Sequence, residues 1–301
     1  MRQLFMQNLK AGLIIGFSFI FVVGVTACSE AEEPSGPAMW RLQTDESTLY
    51  FLGSFHILPP DIEWRDSRID HALDEADGVF FELDEREIDP KDMQRILLEK
   101  AMLPKGESLK SMVTAETYTE LSEAAADLGV RVEALNSMKP WFVATTLAVL
   151  EMTMQGHSPD SGVDAVLTKE VLQRQIPLHG LEQFEEQFAA LDVLSKEDPD
   201  ALIIETLRYL KDDGALLDQM VSAWVHGDEE TIAALFEQDM EQYQAAYEAL
   251  LTNRNRNWLP IIEGRIDYGG SYFVIVGAAH LVGENSVIAM LRDRGYTVER
   301  F

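Results

Sequence analysis

Residues Leu49–Leu58 read LYFLGSFHIL, and residues Tyr272–Val282 read YFVIVGAAHLV. Each is an apolar, strand-like run that stops at a glycine, passes two residues and presents a histidine. In an open α/β sheet, ligands bind in the crevice beyond the carboxyl ends of the strands. His56 and His280, three residues past Gly53 and Gly277, therefore fall on that rim, and neighbouring strands would turn both imidazoles toward one pocket. Two more strand-like runs end in carboxylates, Glu82 in VFFEL and Glu182 in PLHGLE. Two neutral imidazoles with one or two carboxylates suit a divalent metal site that keeps a position open for water. The plainer readings are capping or core-edge histidines, an exposed strand end at Glu82, and a first-turn acid at Glu182 stabilised by the helix dipole. No HExxH or other close-spaced ligand motif is present, so any such site has to be assembled by the fold.

Working outward, MWRLQ and TLYFLG, separated by the turn-forming TDES, form a hairpin pattern. Helical spacing follows over Arg65–Ala76, with Ile69, Leu73 and Ala76 on one stripe, and GVFFEL follows as a strand. Helices are expected at Thr114–Leu128, stopped by Gly129, at Trp141–Met154 and at Val163–Gln175, with VRVEAL between the first two as a further β-like run. From Phe184 to about Ile262 only helical periodicity remains, with Ser195 and Asp228 as capping candidates, and this stretch reads as an inserted helical subdomain. SYFVIVG, a helix near Asn285–Arg294 and GYTVERF close the chain. Strand and helix in alternation imply an α/β fold: a central mixed, largely parallel sheet with flanking helices and the 184–262 insertion.

The first residues are not part of that fold. Arg2 and Lys10 precede the fifteen-residue apolar run Ala11–Val25, the length of a signal-peptide core rather than of a bilayer span. The run ends at Val25-Thr26-Ala27-Cys28-Ser29, which resembles a bacterial lipobox. The expected organisation is a lipoprotein signal peptide over 1–27, a polar, breaker-rich tether over 28–38 and a domain over 39–301. A lipidated Cys28 implies a membrane-anchored domain on the periplasmic side of the envelope, with the outer membrane favoured by Ser29. Cys28 is the single cysteine of the chain, so disulfides, thiolate catalysis and zinc–thiolate sites are excluded from the domain. A net charge of −28 repels nucleic acid, and it leaves membrane association to the acyl anchor.

GSFH at Gly53–His56, FELD at Phe81–Asp84, MKPW at Met138–Trp141, SGVDAVL at Ser161–Leu167, LHGLE at Leu178–Glu182, RNRNW at Arg254–Trp258 and VGAAHLVGENSVIAMLRDRGYTV at Val276–Val298 follow one another in a distinctive order. On these blocks the chain resembles the TraB/GumN (TraB/PrgY/GumN) family, which is related to the Tiki metalloproteases. The resemblance covers Met39–Phe301 and implies an EreA/ChaN-like fold. It also implies a metal bound by His56, Glu82 and His280, more readily Mn²⁺ or Co²⁺ than Zn²⁺, with Glu82 as ligand or general base. Arg254 would stabilise an oxyanion or grip a substrate carboxylate, with Arg256 as a second choice; Asp164 and Glu182 would contact substrate. GAAH stands where GAGH is common. His71, His157, His179 and His226 match no family position. The implied activity is metal-assisted hydrolysis of a peptide or small-molecule substrate. The alternative is a ligand-binding lipoprotein that sequesters haem or a peptide, with Trp141, Phe142 and Met152 or Met154 as an apolar wall.

Overall fold

The computed structural model describes residues 36–301 apart from 85, 87, 88, 213, 241 and 242. The signal peptide, Cys28 and all but the end of the tether lie outside the described residues. Six strands form one sheet: β1 (Met39–Gln43), β2 (Ser47–Ser54), β3 (Gly78–Phe81), β4 (Leu178–Gly180), β5 (Gly270–Gly277) and β6 (Val298–Arg300). Their order is β4-β3-β5-β2-β1-β6. The first four in that order are mutually parallel, and β1 runs antiparallel to both β2 and β6.

The pairing of β2 with β5 joins the two stretches quoted above, with Gly53 opposite Val276 and Ser54 opposite Gly277. Both strands are rich in aromatic and β-branched residues, and Phe51, Leu52, Phe273, Val274, Ile275 and Val276 are buried. Such a strand is favoured at a sheet centre, where both faces are covered by other elements. The hairpin of β1 and β2 pairs Met39 with Leu52 through Gln43 with Thr48.

Helices occupy the connections. The expected 65–76 helix forms as Ser67–Glu75, capped by the Asp66 carboxylate, which accepts from the Arg68 N–H at 2.8 Å. VRVEAL is not a strand. After Gly129 takes φ 75°, Val132–Leu135 forms one helical turn that buries Val132 and Leu135 in a helical cluster with Leu109, Leu121, Leu147 and Ile203. Burial among these helical neighbours overrides its β propensity. Between β4 and β5 the described residues run through successive helices from Phe184 to Tyr268. Asp228 caps the helix Glu229–Met240 through the Thr231 N–H at 3.0 Å. Ser195 does not cap its own helix, Phe184–Glu197. Its hydroxyl accepts instead from the Trp141 N–H at 2.7 Å, satisfying a first-turn donor of the neighbouring helix Pro140–Met154.

Two contacts fix the end of β2. Trp224 is buried and donates its indole N–H to the Gly53 carbonyl at 2.8 Å, beside Phe55. The loop after β2 is tied to the start of the helix Val163–Arg174: the Val163 N–H donates to the Phe55 carbonyl at 2.9 Å, and Leu58 and Ser158 exchange backbone bonds. Gly162 permits this approach, because a Cβ there would stand 2.1 Å from the His56 carbonyl oxygen.

Trp224→Phe keeps an aromatic side chain but removes the indole N–H that the Gly53 carbonyl accepts, so it should lower stability by about 1–3 kcal/mol in urea unfolding. Gly162→Ala should cost about 1–3 kcal/mol in the same assay, because backbone rather than a flexible side chain must yield.

Candidate functional site

The strand order decides what can meet. β4, β3, β5 and β2 lie side by side with their carboxyl ends together, and each delivers one polar residue just beyond its end. These are Glu182 after β4, Glu82 after β3, His280 in the single turn Ala278–His280 after β5, and His56 after β2. A fifth element crosses these ends: the helix Asn253–Tyr268, entered through a π-helical turn at Glu248–Thr252, which brings Arg254, Asn255 and Trp258. A cleft of about 1310 Å³ opens here, lined by His56, Glu82, Asp164, Arg254 and His280 on its polar side. Leu172, Leu191, Ile232, Phe236 and Leu251 contribute apolar wall.

Glu82 is buried, yet it is ringed by donors. Its Oε1 accepts from the Gly277 N–H at 2.8 Å, an approach open because Gly277 has no side chain. Its Oε2 accepts from Arg254 Nη2 at 2.5 Å and from Gln187 Nε2 at 3.2 Å. Burial opposes ionisation, but the positive charge facing it from His280 when protonated, Arg254 and His56, with the Gly277 N–H, lowers its pKa to about 2. The carboxylate is therefore charged at neutral pH. Glu182 lies behind Arg254 in a two-pronged pair, Nε to Oε2 at 2.8 Å and Nη2 to Oε1 at 2.6 Å, and also accepts from the Trp258 indole at 3.2 Å. Burial raises its pKa against the pull of Arg254.

Asn255 fixes the tautomer of His280. Its Nδ2 donates to the Asn285 carbonyl at 2.7 Å, so its Oδ1 must face His280 Nδ1, 2.6 Å away, and accept that proton. Nε2 of the neutral ring then carries the lone pair, and Arg254 Nη1 donates to it at 3.1 Å. Burial pushes the His280 pKa down to about 3, so the ring is neutral. Arg254 also donates through Nη1 to the Leu250 carbonyl at 3.0 Å. All five of its N–H donors thus have an acceptor. Leaving the carboxylates buried without this guanidinium would cost about 3–5 kcal/mol.

His56 is different. Its side chain is 63% exposed at the mouth of the cleft, with Nδ1 at ion-pair distance, 2.9 Å, from Asp164 Oδ2. Asp164 Oδ1 accepts from Ser54 Oγ at 3.0 Å. The Asp164 charge raises the His56 pKa above the ordinary imidazole value, an effect that solvent screens at so exposed a ring.

The fold thus gathers His56, Glu82, His280, Arg254 and Asp164 at one cleft. Their pairing is not that of a metal cage. Among the described residues no group of three His, Cys, Asp or Glu side chains is placed to hold a metal ion. His56 is engaged with Asp164, and His280 Nε2 and Glu82 are both engaged with Arg254. As they stand, the residues do not fit the expected divalent ion.

Arg256 is exposed, bonds at 3.4 Å to Asn253 Oδ1 and does not line the cleft, which leaves Arg254 as the inward-facing arginine. Glu182 does not line the cleft either. Trp141, Phe142, Met152 and Met154 line none of it, and Trp141 packs instead with Phe188. His71, His179 and His226 sit elsewhere, the first beside Tyr50, the second stacked on Phe80, the third against the Ser222 carbonyl. The sequence pattern missed Asn255, Trp258 and Gln187. The first two lie inside the RNRNW block, which was the available signal.

The protein called uncharacterized protein YbaP in Escherichia coli (strain K12) is 28% identical over 250 residues, covering 81% of this chain and 87% of YbaP. The protein of the same name in Shigella flexneri gives the same figures. No solved structure matches the chain significantly. The profile of the TraB/PrgY/gumN family matches residues 38–300, from the first sheet strand to the last, and the chain belongs to that family.

Proposed function

We propose that the cleft is a hydrolytic centre for a carbonyl substrate, an amide of a peptide in the first instance, on a domain anchored by Cys28 outside the cytoplasm. The observation that carries the reading is the opening of two differently tuned groups onto one cleft: a carboxylate held ionised, Glu82, and an imidazole paired with a carboxylate, His56. Pairs of titratable groups whose surroundings push their pKa values apart mark an acid and a base.

In this scheme Glu82 takes the water proton; its lowered pKa makes it a weak base, so it holds that proton only in passing. Its Oε1 has one lone pair committed to the Gly277 N–H and a second for a water. As the water oxygen bonds to the substrate carbonyl carbon, its proton passes to Glu82. His56, raised by Asp164 and so carrying a proton, gives it to the leaving nitrogen as the carbon–nitrogen bond breaks. Proton return from Glu82 to His56 resets the site. Arg254, with every donor committed, holds Glu82 in place rather than touching substrate. No step runs through a metal ion.

The test is incubation of the full chain with a peptide library, with products read by mass spectrometry. His56→Ala and Glu82→Gln should each lower cleavage by about 10²–10⁴-fold with unchanged circular dichroism. Saturable peptide binding without turnover would replace hydrolysis with sequestration.

The pH profile provides a second test. A general acid works only while protonated, so kcat/KM should fall as pH rises through the His56 pKa, above about 6.5. Asp164→Asn removes the charge that stabilises the imidazolium, so the falling limb should move to lower pH. A limb unmoved by that change would rule out His56 as the acid.

A further inference from the structure

Glu82 Oε1 and His280 Nε2 face one another 3.7 Å apart. Glu82 accepts from the Gly277 N–H and from Arg254, and the His280 proton is committed through Nδ1 to Asn255, which leaves Nε2 an acceptor. A buried carboxylate beside a buried acceptor nitrogen calls for a cation that serves both, because a buried charge without a partner is not tolerated. In a metal site a divalent ion supplies that charge, with an outer partner such as Asn255 orienting the histidine. Here the guanidinium supplies it: Nη1 reaches His280 Nε2 at 3.1 Å and Nη2 reaches Glu82 Oε2 at 2.5 Å. Glu182 behind it, the Leu250 carbonyl and the ring of Trp258, 5.0 Å from the guanidinium carbon, complete a socket for a planar cation.

We propose that Arg254 is the resident cation of this site. It takes the place a divalent ion would need at Glu82 and His280, so the intact protein binds no divalent ion there. An added ion would meet the guanidinium at contact distance among buried groups, where like charges repel strongly. Removing the guanidinium empties the space it fills between His280 Nε2, Glu82 and Glu182, which are not placed as a metal set while it is present, and lets these side chains close on a transition metal such as Mn²⁺. The proposal concerns cation binding and stands apart from whether the cleft hydrolyses anything.

The experiment is calorimetric titration of MnCl₂ into the full chain at about 0.15 M salt, which screens the exposed acids. Four proteins are compared: the intact chain, His280→Ala, Arg254→Met, and the Arg254→Met/His280→Ala double variant. The intact chain and His280→Ala should give the same weak, non-saturating heats. Arg254→Met should gain one saturable site, at least tenfold tighter than that background, and Mn²⁺ should raise its melting temperature but not that of the intact chain. The double variant should lose the gain. One equivalent of Mn²⁺ bound by the intact chain and lost in His280→Ala would overturn the proposal, as would a folded Arg254→Met that gains no site. If Arg254→Met is unfolded without metal, refolding with and without Mn²⁺ reads the same site. Recovery only with the ion supports the assignment, and no recovery in either case overturns it.

Discussion

Parallel alignment of four neighbouring strands is the constraint on which everything at this site rests. Parallel pairing places like ends together, so β4, β3, β5 and β2 release their chains on the same side of the sheet. Four polar residues more than two hundred positions apart at the extremes become a row, in the order Glu182, Glu82, His280, His56. β1, antiparallel to both its neighbours, and β6, which runs the same way as the four, lie beyond β2 and contribute nothing to that row. Glycine serves the same end chemically: Gly277 lets its own N–H reach the Glu82 carboxylate, and Gly53 lets β2 pass the Ala278 backbone.

Electrostatics then separates the row into two parts. The inner part is buried and tightly paired: two carboxylates share one guanidinium beside one neutral imidazole, with every guanidinium proton placed. Such clusters contribute little net stability, because desolvation offsets the attraction, but they tolerate no missing partner. The outer part is His56 with Asp164, half in solvent and free to exchange protons. The division follows from depth in the cleft, since both histidines come from the same kind of loop. His280 sits under Trp258, with ring centroids 4.4 Å apart, whereas His56 has the cleft mouth beside it.

Much of this was legible in the sequence, for reasons that can be named. Period and composition reveal strands such as SYFVIVG, and the glycine–histidine spacing points to their ends. Pairing is not local, so neither the adjacency of β2 and β5 nor the order of the row could be read from the residues, although the resemblance implied that His56 and His280 meet. VRVEAL looked like a strand because propensity is local and burial is not; its Val132 and Leu135 found helical neighbours. Residue types suggested a metal site, but the placement of protons and of one guanidinium decides whether ligands are available. Those depend on Asn255 and Asn285, which no motif singles out. Ser195 was a capping candidate by residue type alone; which helix it serves depends on packing, which brings its hydroxyl to the Trp141 N–H of the neighbouring helix.

The π-helical turn Glu248–Thr252 immediately before Arg254 has a consequence for which deletions this chain can tolerate. A wide turn accommodates one residue more than an α-helical turn would, and each residue rotates a helix by about 100°. Loss of a single position between Glu248 and Thr252 would leave an unremarkable helix of good local propensity, yet swing the side chain of Arg254 round toward water and bring a neighbour over the strand ends. Phase, set by an irregularity one turn upstream, thus governs whether the two buried carboxylates have their guanidinium.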